Sequence, residues 1–164
     1  MVLIKVKKDC SGGNCYLKNA LAYVFGKGEH QPFYLNGNGV DLTSVNAAYE
    51  QMYDVKKYSG KTSGNPLVHL IVSYDNAVHD PETACLYTDE IAEFFSDRFQ
   101  TLQCTHCEEQ AGGKSLYHTH IIANSVSFSD GKMFRSGRPD LQGFCSHVEQ
   151  VTGQKAWLTF EPSR

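Results

Sequence analysis

No stretch of this sequence approaches the ~18 consecutive apolar residues that a membrane-spanning helix needs, so no membrane role is expected. The first residues, Met1 to Asp9, alternate apolar and polar and then turn charged. They lack the apolar core and small-residue cleavage site of a secretory leader, and a cytoplasmic location is expected. There is no internal repeat and no low-complexity linker. The 164 residues, 41% hydrophobic and 20% charged, are therefore expected to form one domain, 1–164, with its own core. A basic excess is also missing. The net charge of −3 and a pI near 6.1 argue mildly against nucleic acid as a partner.

That average hides an asymmetry. Residues 1–74 hold eight Lys against five Asp and Glu, and residues 111–164 hold six Lys and Arg against four acids. Residues 75–110 hold one Arg against nine acids, so the acidic excess sits in one segment. It reads as a solvated helix face and leaves a basic face elsewhere open. The six cysteines, at 10, 15, 85, 104, 107 and 145, lack the regular spacing of a secreted disulfide scaffold. They are expected to be free thiols.

Hydrophobic periodicity predicts a strand over Val2–Lys7, a turn at Asp9–Asn14 and a helix over Tyr16–Gly26. Residues 27–40 are rich in Gly, Asn and Pro and read as loop. Helices follow over Ser44–Lys57, and from Asp80 to about Phe99 with Asp80 as cap and Pro81 in the first turn. Leu67–Tyr74 is a near-continuous apolar run suited to a central strand. Strands are expected over Leu102–Glu108 and Leu116–Ser127. Ser129-Asp130-Gly131 reads as a hairpin turn into a strand over Lys132–Arg135. A helix from Arg138 through Val151 and a last strand over Lys155–Phe160 complete an α+β fold: a central, mainly antiparallel sheet flanked by helices.

The chemistry concentrates in Cys104–Asn124, which carries three of the seven histidines. Side chains alternate faces along a strand. His118 and His120 therefore share a face, and Asn124 follows them on it. If this strand pairs with the one before it, His106 can join the same side. Three imidazoles with open positions suit a catalytic metal site, and Asn124 could orient a substrate there. Cys104 and Cys107 with His118 and His120 offer a rival Cys2His2 zinc set. Strand parity points the two thiols to opposite faces, which makes that set the weaker one.

His106-x-Glu108, then His118-x-His120-x-x-x-Asn124-x-Val126 and the Asp130-Gly131-Lys132 turn resemble the metal motif of plasmid relaxases. These are the mobilisation-type (P-type) members of the HUH endonuclease superfamily. Val68 to Ser73, containing His69-x-x-x-Ser73, resembles the strand that precedes the motif there. The likeness spans most of the chain and is specific over residues 106–132. Glu108 stands where the family usually has Asp, and Thr119 where it has a hydrophobe.

The resemblance implies an HUH-type relaxase fold and nicking of single-stranded DNA at an origin of transfer. It implies a divalent metal ion, Mn2+ or Mg2+, on His106, His118 and His120, and a tyrosine nucleophile forming a 5′-phosphotyrosyl link. Other superfamily members place that tyrosine after the paired histidines, but no Tyr follows Tyr117 here. The relaxase order, with a tyrosine on a helix near the N-terminus, selects Tyr23 in Ala20-Leu-Ala-Tyr23-Val24. Helix periodicity alone would make Tyr23 a core or surface-edge aromatic, and Tyr16 is the second candidate. Glu108 is expected to orient a ligand or assist deprotonation of the phenol. Lys27, four residues after Tyr23, is placed to meet phenolate or phosphate.

Further DNA contacts are expected from Lys5, Lys7, Lys8, Lys56, Lys57, Lys61, Lys132, Arg135 and Arg138, with Tyr58 or Phe134 stacking on bases. His69 reads as a packed core histidine, and His30, His79 and His147 as surface. The implied partners are origin-of-transfer DNA, accessory relaxosome proteins and a type IV secretion coupling protein. Two alternatives remain: a non-catalytic relaxase-like DNA-binding domain and a Cys2His2 zinc protein.

Overall fold

A computed structural model describes residues 1–7, 13–27, 31–74 and 78–161. Most of the expected 9–14 turn lies outside the described residues, as do Lys8, Cys10 and His30. The elements run β1 (Val2–Val6), α1 (Gly13–Val24), β2 (Tyr34–Asn38), α2 (Val45–Tyr58), β3 (Leu67–Ser73) and α3 (Pro81–Ala92). They continue with β4 (Thr101–Gln110), β5 (Lys114–Asn124), α4 (Arg138–Thr152) and β6 (Ala156–Phe160). The strands form one six-stranded sheet in the order β2-β4-β5-β3-β1-β6. The β1–β6 pair is parallel and the other pairs are antiparallel. The expected α+β architecture is the one observed.

Alternation along the strands gives the sheet two apolar faces. On one, Ile4, Leu70, Val72 and Ile121 pack against Ile91 of α3 and Leu141, Phe144 and Val148 of α4. On the other, Leu67, Leu102, Cys104 and Ile122 pack against Leu17, Leu21 and Val24 of α1 and Ala48 and Met52 of α2. Local chemistry fixes the helix ends. The Ser44 hydroxyl accepts from the Ala47 N–H, and the Asp80 carboxylate accepts from the Thr83 N–H ahead of Pro81. Gly153, with φ 68°, ends α4.

Three elements differ from expectation. The 27–40 segment contains β2, because side chains as well as backbone hold it. The Tyr34 hydroxyl and the Asn36 amide donate to Asp89 of α3 at 2.6 and 3.0 Å. α3 stops at Ala92, and a 3-10 turn over Glu93–Phe95 follows. This tighter turn lets the adjacent rings of Phe94 and Phe95 both reach Phe144, with centroids 5.4 and 5.7 Å away. No strand forms over residues 132–135 beyond a bridge between Val126 and Met133. Phe134 instead packs against Phe95 and Phe99.

Candidate active site

The histidines sit on the β4–β5 hairpin, whose turn runs through Gly112 and Gly113, both at positive φ. Its register puts His106 directly opposite His118 and Cys104 opposite His120. The four residues share the face that α1 partly covers. Ring centroids lie 5.3 Å apart for His106 and His118, 4.9 Å for His106 and His120, and 5.2 Å for His118 and His120. One nitrogen from each falls within 4.8 Å of the others, a spacing at which all three can hold one ion. The surroundings keep His120 uncharged, as metal binding requires. Burial lowers His120 to about 2, with His69, His118 and His106 adding to the effect.

α1 supplies the fourth wall. Its Leu17, Ala20, Leu21 and Val24 stripe docks on the sheet, which leaves Tyr16, Asn19 and Tyr23 along the edge that faces the histidines. All three line a cavity of about 830 Å3 with His69, His118, His120 and Glu108. The Tyr23 ring stands edge-on to two imidazoles, with centroids 5.7 Å from His106 and 5.3 Å from His120. Burial raises the Tyr23 phenol above its ordinary range, and nearby Cys104 and Glu108 add to the rise. An uncompensated phenol here stays protonated.

Residues 16–154 match the family described as relaxase, MobA/VirD2-like, nuclease domain. The chain belongs to the MobA/VirD2-like relaxases. The match includes both the tyrosine helix and the histidine hairpin. No curated protein matches the chain. Relaxase nuclease domains are metal-dependent DNA-nicking enzymes that bind single-stranded DNA at an origin of transfer. Among the described residues of this relaxase, no helix is long and apolar enough to cross a membrane.

The expected residues divide into groups. Tyr23, Glu108, His106, His118 and His120 come together. Asn124 does not join them, although it has the right parity. It is fully buried four residues beyond His120, and its amide donates to the Met52 carbonyl and the Gln100 side chain at 3.0 and 2.9 Å. It secures α2 to the end of the sheet. Lys56 is also misplaced as a DNA contact. It is 1% exposed, and its ammonium donates to the Pro66 carbonyl and the Ser125 hydroxyl.

Lys27, Lys57, Lys132, Arg135 and Arg138 are exposed, but none lines the histidine cavity. Lys57 pairs with Asp54 at 2.7 Å. Lys132 and Arg135 line a separate cavity bordered by Phe94, Phe95, Phe99 and Phe134. The lysines in the histidine cavity are Lys5 and Lys7. The Cys2His2 reading fails on geometry. Cys104 is buried beside His106 while Cys107 is exposed on the other face, and burial pushes the Cys104 thiol up to about 12, far from a thiolate.

Two histidines of this relaxase do more than the sequence suggests. His69 is more than a packed core residue: its Nε2 lies 3.0 Å from His120 Nδ1, and it lines the cavity. His147 is half-buried, with Nε2 donating to the Glu90 carbonyl. Behind the histidines, Thr119 points to the opposite face. Its hydroxyl bonds to Tyr74 and to Thr88 of α3, and Thr88 bonds in turn to Thr105 at 2.7 Å. Thr105 and Thr119 are register partners. A chain of hydroxyls thus ties α3 to both histidine strands at the level of the site.

Proposed function

We propose that this relaxase nicks one strand of DNA at an origin of transfer through Tyr23 and so initiates conjugative mobilisation, with residues 1–164 acting as one nicking domain. The observation that carries this reading is the Tyr23 ring set against two of three clustered imidazoles. Three imidazole nitrogens within 4.8 Å of one another fit a divalent ion. They suit manganese better than magnesium, although either would supply positive charge beside the scissile phosphate. His69 holds His120 in place. A His120 that offers Nε2 to an ion carries its proton on Nδ1 and donates it to His69. Glu108, at the cavity rim, accepts the phenol proton. The Tyr23 oxygen then bonds to phosphorus in line with the departing 3′ oxygen, the P–O3′ bond breaks, and the 3′ oxygen takes a proton. The 5′ end stays on Tyr23 as a phosphodiester, ready for rejoining. Accessory relaxosome proteins and a type IV secretion coupling protein are the further partners of such a step.

The test is a covalent-adduct assay with single-stranded oligonucleotides from the cognate origin and Mn2+. Wild type and Tyr16→Phe are expected to give a denaturation-resistant protein–DNA adduct. Tyr23→Phe is expected to give none while binding the oligonucleotide equally well. An adduct in Tyr23→Phe would reject the nucleophile assignment. DNA binding by wild type without any adduct would favour a non-catalytic relaxase-like DNA-binding domain.

A further inference from the structure

Helices cover the histidine-bearing face of the sheet over only part of its width. α1 and α2 pack on β4, β5 and the start of β3 through Leu67, Leu102 and Ile122. Among the described residues the same face is open over β1 and β6: Lys5 and Thr159 are exposed, Leu3 is 39% exposed and Trp157 is 59% exposed. The register turns this opening into two straight rows that begin at the candidate metal ligands. One row runs His118, Ser73, Leu3, Trp157, and the other His120, Ile71, Lys5, Thr159. With strands ~4.8 Å apart, Trp157 stands roughly 14 Å from His118 along its row. That is about the rise of four stacked nucleotides at ~3.4 Å each.

The open face and the site are continuous. The cavity that holds Tyr23, His118 and His120 also takes in Ser73, Ile71, Leu3, Lys5 and Met1. Its basic side chains, Lys5 and Lys7, lie on the β1 side, while Glu108 lies on β4 beside the histidines. Lys5 and Lys7 reach Glu161 at 3.2 and 3.0 Å, two ammonium groups sharing one carboxylate. Adjoining exposed apolar side chains with cations beside them mark a binding surface. An exposed indole beside lysines matches single-stranded nucleic acid, whose bases stack and whose phosphates carry charge.

We infer that this half-sheet seats the single-stranded DNA flanking the scissile phosphate, with bases on Trp157 and Leu3 and phosphates toward Lys5 and Lys7. The inference rests on the nicking reading for the class of its ligand, but it is testable without nicking. Trp157 is the sole tryptophan of the chain, so tryptophan emission, excited selectively over tyrosine, reports on this patch alone. A single-stranded 20-nucleotide oligomer, titrated into the full chain at low salt without metal, is expected to quench Trp157 saturably. By anisotropy of a labelled oligomer, Trp157→Ala is expected to bind on the order of tenfold more weakly. Trp157→Phe, which retains a stacking ring, is expected to bind like wild type.

Lys5→Ala with Lys7→Ala should weaken binding and flatten its salt dependence. Binding seen by anisotropy with no change in Trp157 emission overturns the inference, as does wild-type affinity in Trp157→Ala. So does the absence of binding by either readout, or an emission change that tracks self-association of the protein instead of DNA. Quenching in a protein that forms no covalent adduct would refute the nicking mechanism and leave this seat standing.

Discussion

His69 and Lys56 show how much a single side chain's surroundings decide. The His69–His120 hydrogen bond fixes one ring of the candidate metal cluster, and outer partners of this kind change metal affinity by roughly 10–100-fold. His69→Ala should weaken Mn2+ binding by about that factor in titration calorimetry, and an unchanged affinity would reduce His69 to packing. Lys56 is a buried ammonium with two neutral acceptors, and burial lowers it from 10.5 to about 8. Its folded value lies below its unfolded one, so between about pH 8 and 10.5 the unfolded chain holds more protons. Stability therefore rises with pH across that window, by about 3 kcal/mol in total. Above about pH 10 the tyrosines oppose this gain, because burial raises Tyr74 and their loss of protons favours unfolding. Urea denaturation of wild type between pH 7.5 and 9.5 should show the rise and Lys56→Met should flatten it. Parallel curves would remove Lys56 as the source.

At the level of elements, the β4–β5 hairpin carries the site and the threonine chain behind it sets its backing. Thr119 lies between the paired histidines, and its hydroxyl is buried among three others. Thr119→Val preserves shape but strips bonds from Tyr74 and Thr88, at a cost of about 1–3 kcal/mol. Thr88→Val should cost a similar amount. Because the two hydroxyls bond to each other, the double variant should lose less than the sum. Urea midpoints for the four proteins give the coupling, and strict additivity would show the two hydroxyls to be energetically independent. The same hairpin explains why strand parity succeeded for the histidines and misled for Asn124. Parity sets the face a side chain points to. Distance along the strand sets what it meets, and four residues on it meets α2.

At the level of the whole molecule, tyrosine and histidines come from distant parts of the chain and meet only on the folded sheet. An ion on the three imidazoles binds the folded form and not the unfolded one, so it should stabilise the entire fold. At about 100 times its Kd the gain is ~2.7 kcal/mol, or on the order of 5–10 °C in Tm for a chain of this size. Thermal unfolding with and without Mn2+ should show that rise in wild type and its loss in His106→Ala. Equal shifts in the two proteins would place the ion elsewhere.

Periodicity and parity in the sequence were enough for most helices, for five of the six strands and for a shared face of His106, His118 and His120, because those signals are local. Cap residues such as Ser44 and Asp80 act within one turn of themselves and were equally legible. Tertiary structure alone decided the rest. The residues of β2 show no strand pattern, and the strand forms because Asp89, far along the chain, accepts from its side chains. Lys56 resembles any helical lysine until Pro66 and Ser125 close over it. His69 becomes a partner of His120 only through the β3–β5 register. Sequence spacing sets which way a side chain points, and long-range pairing sets what is waiting there.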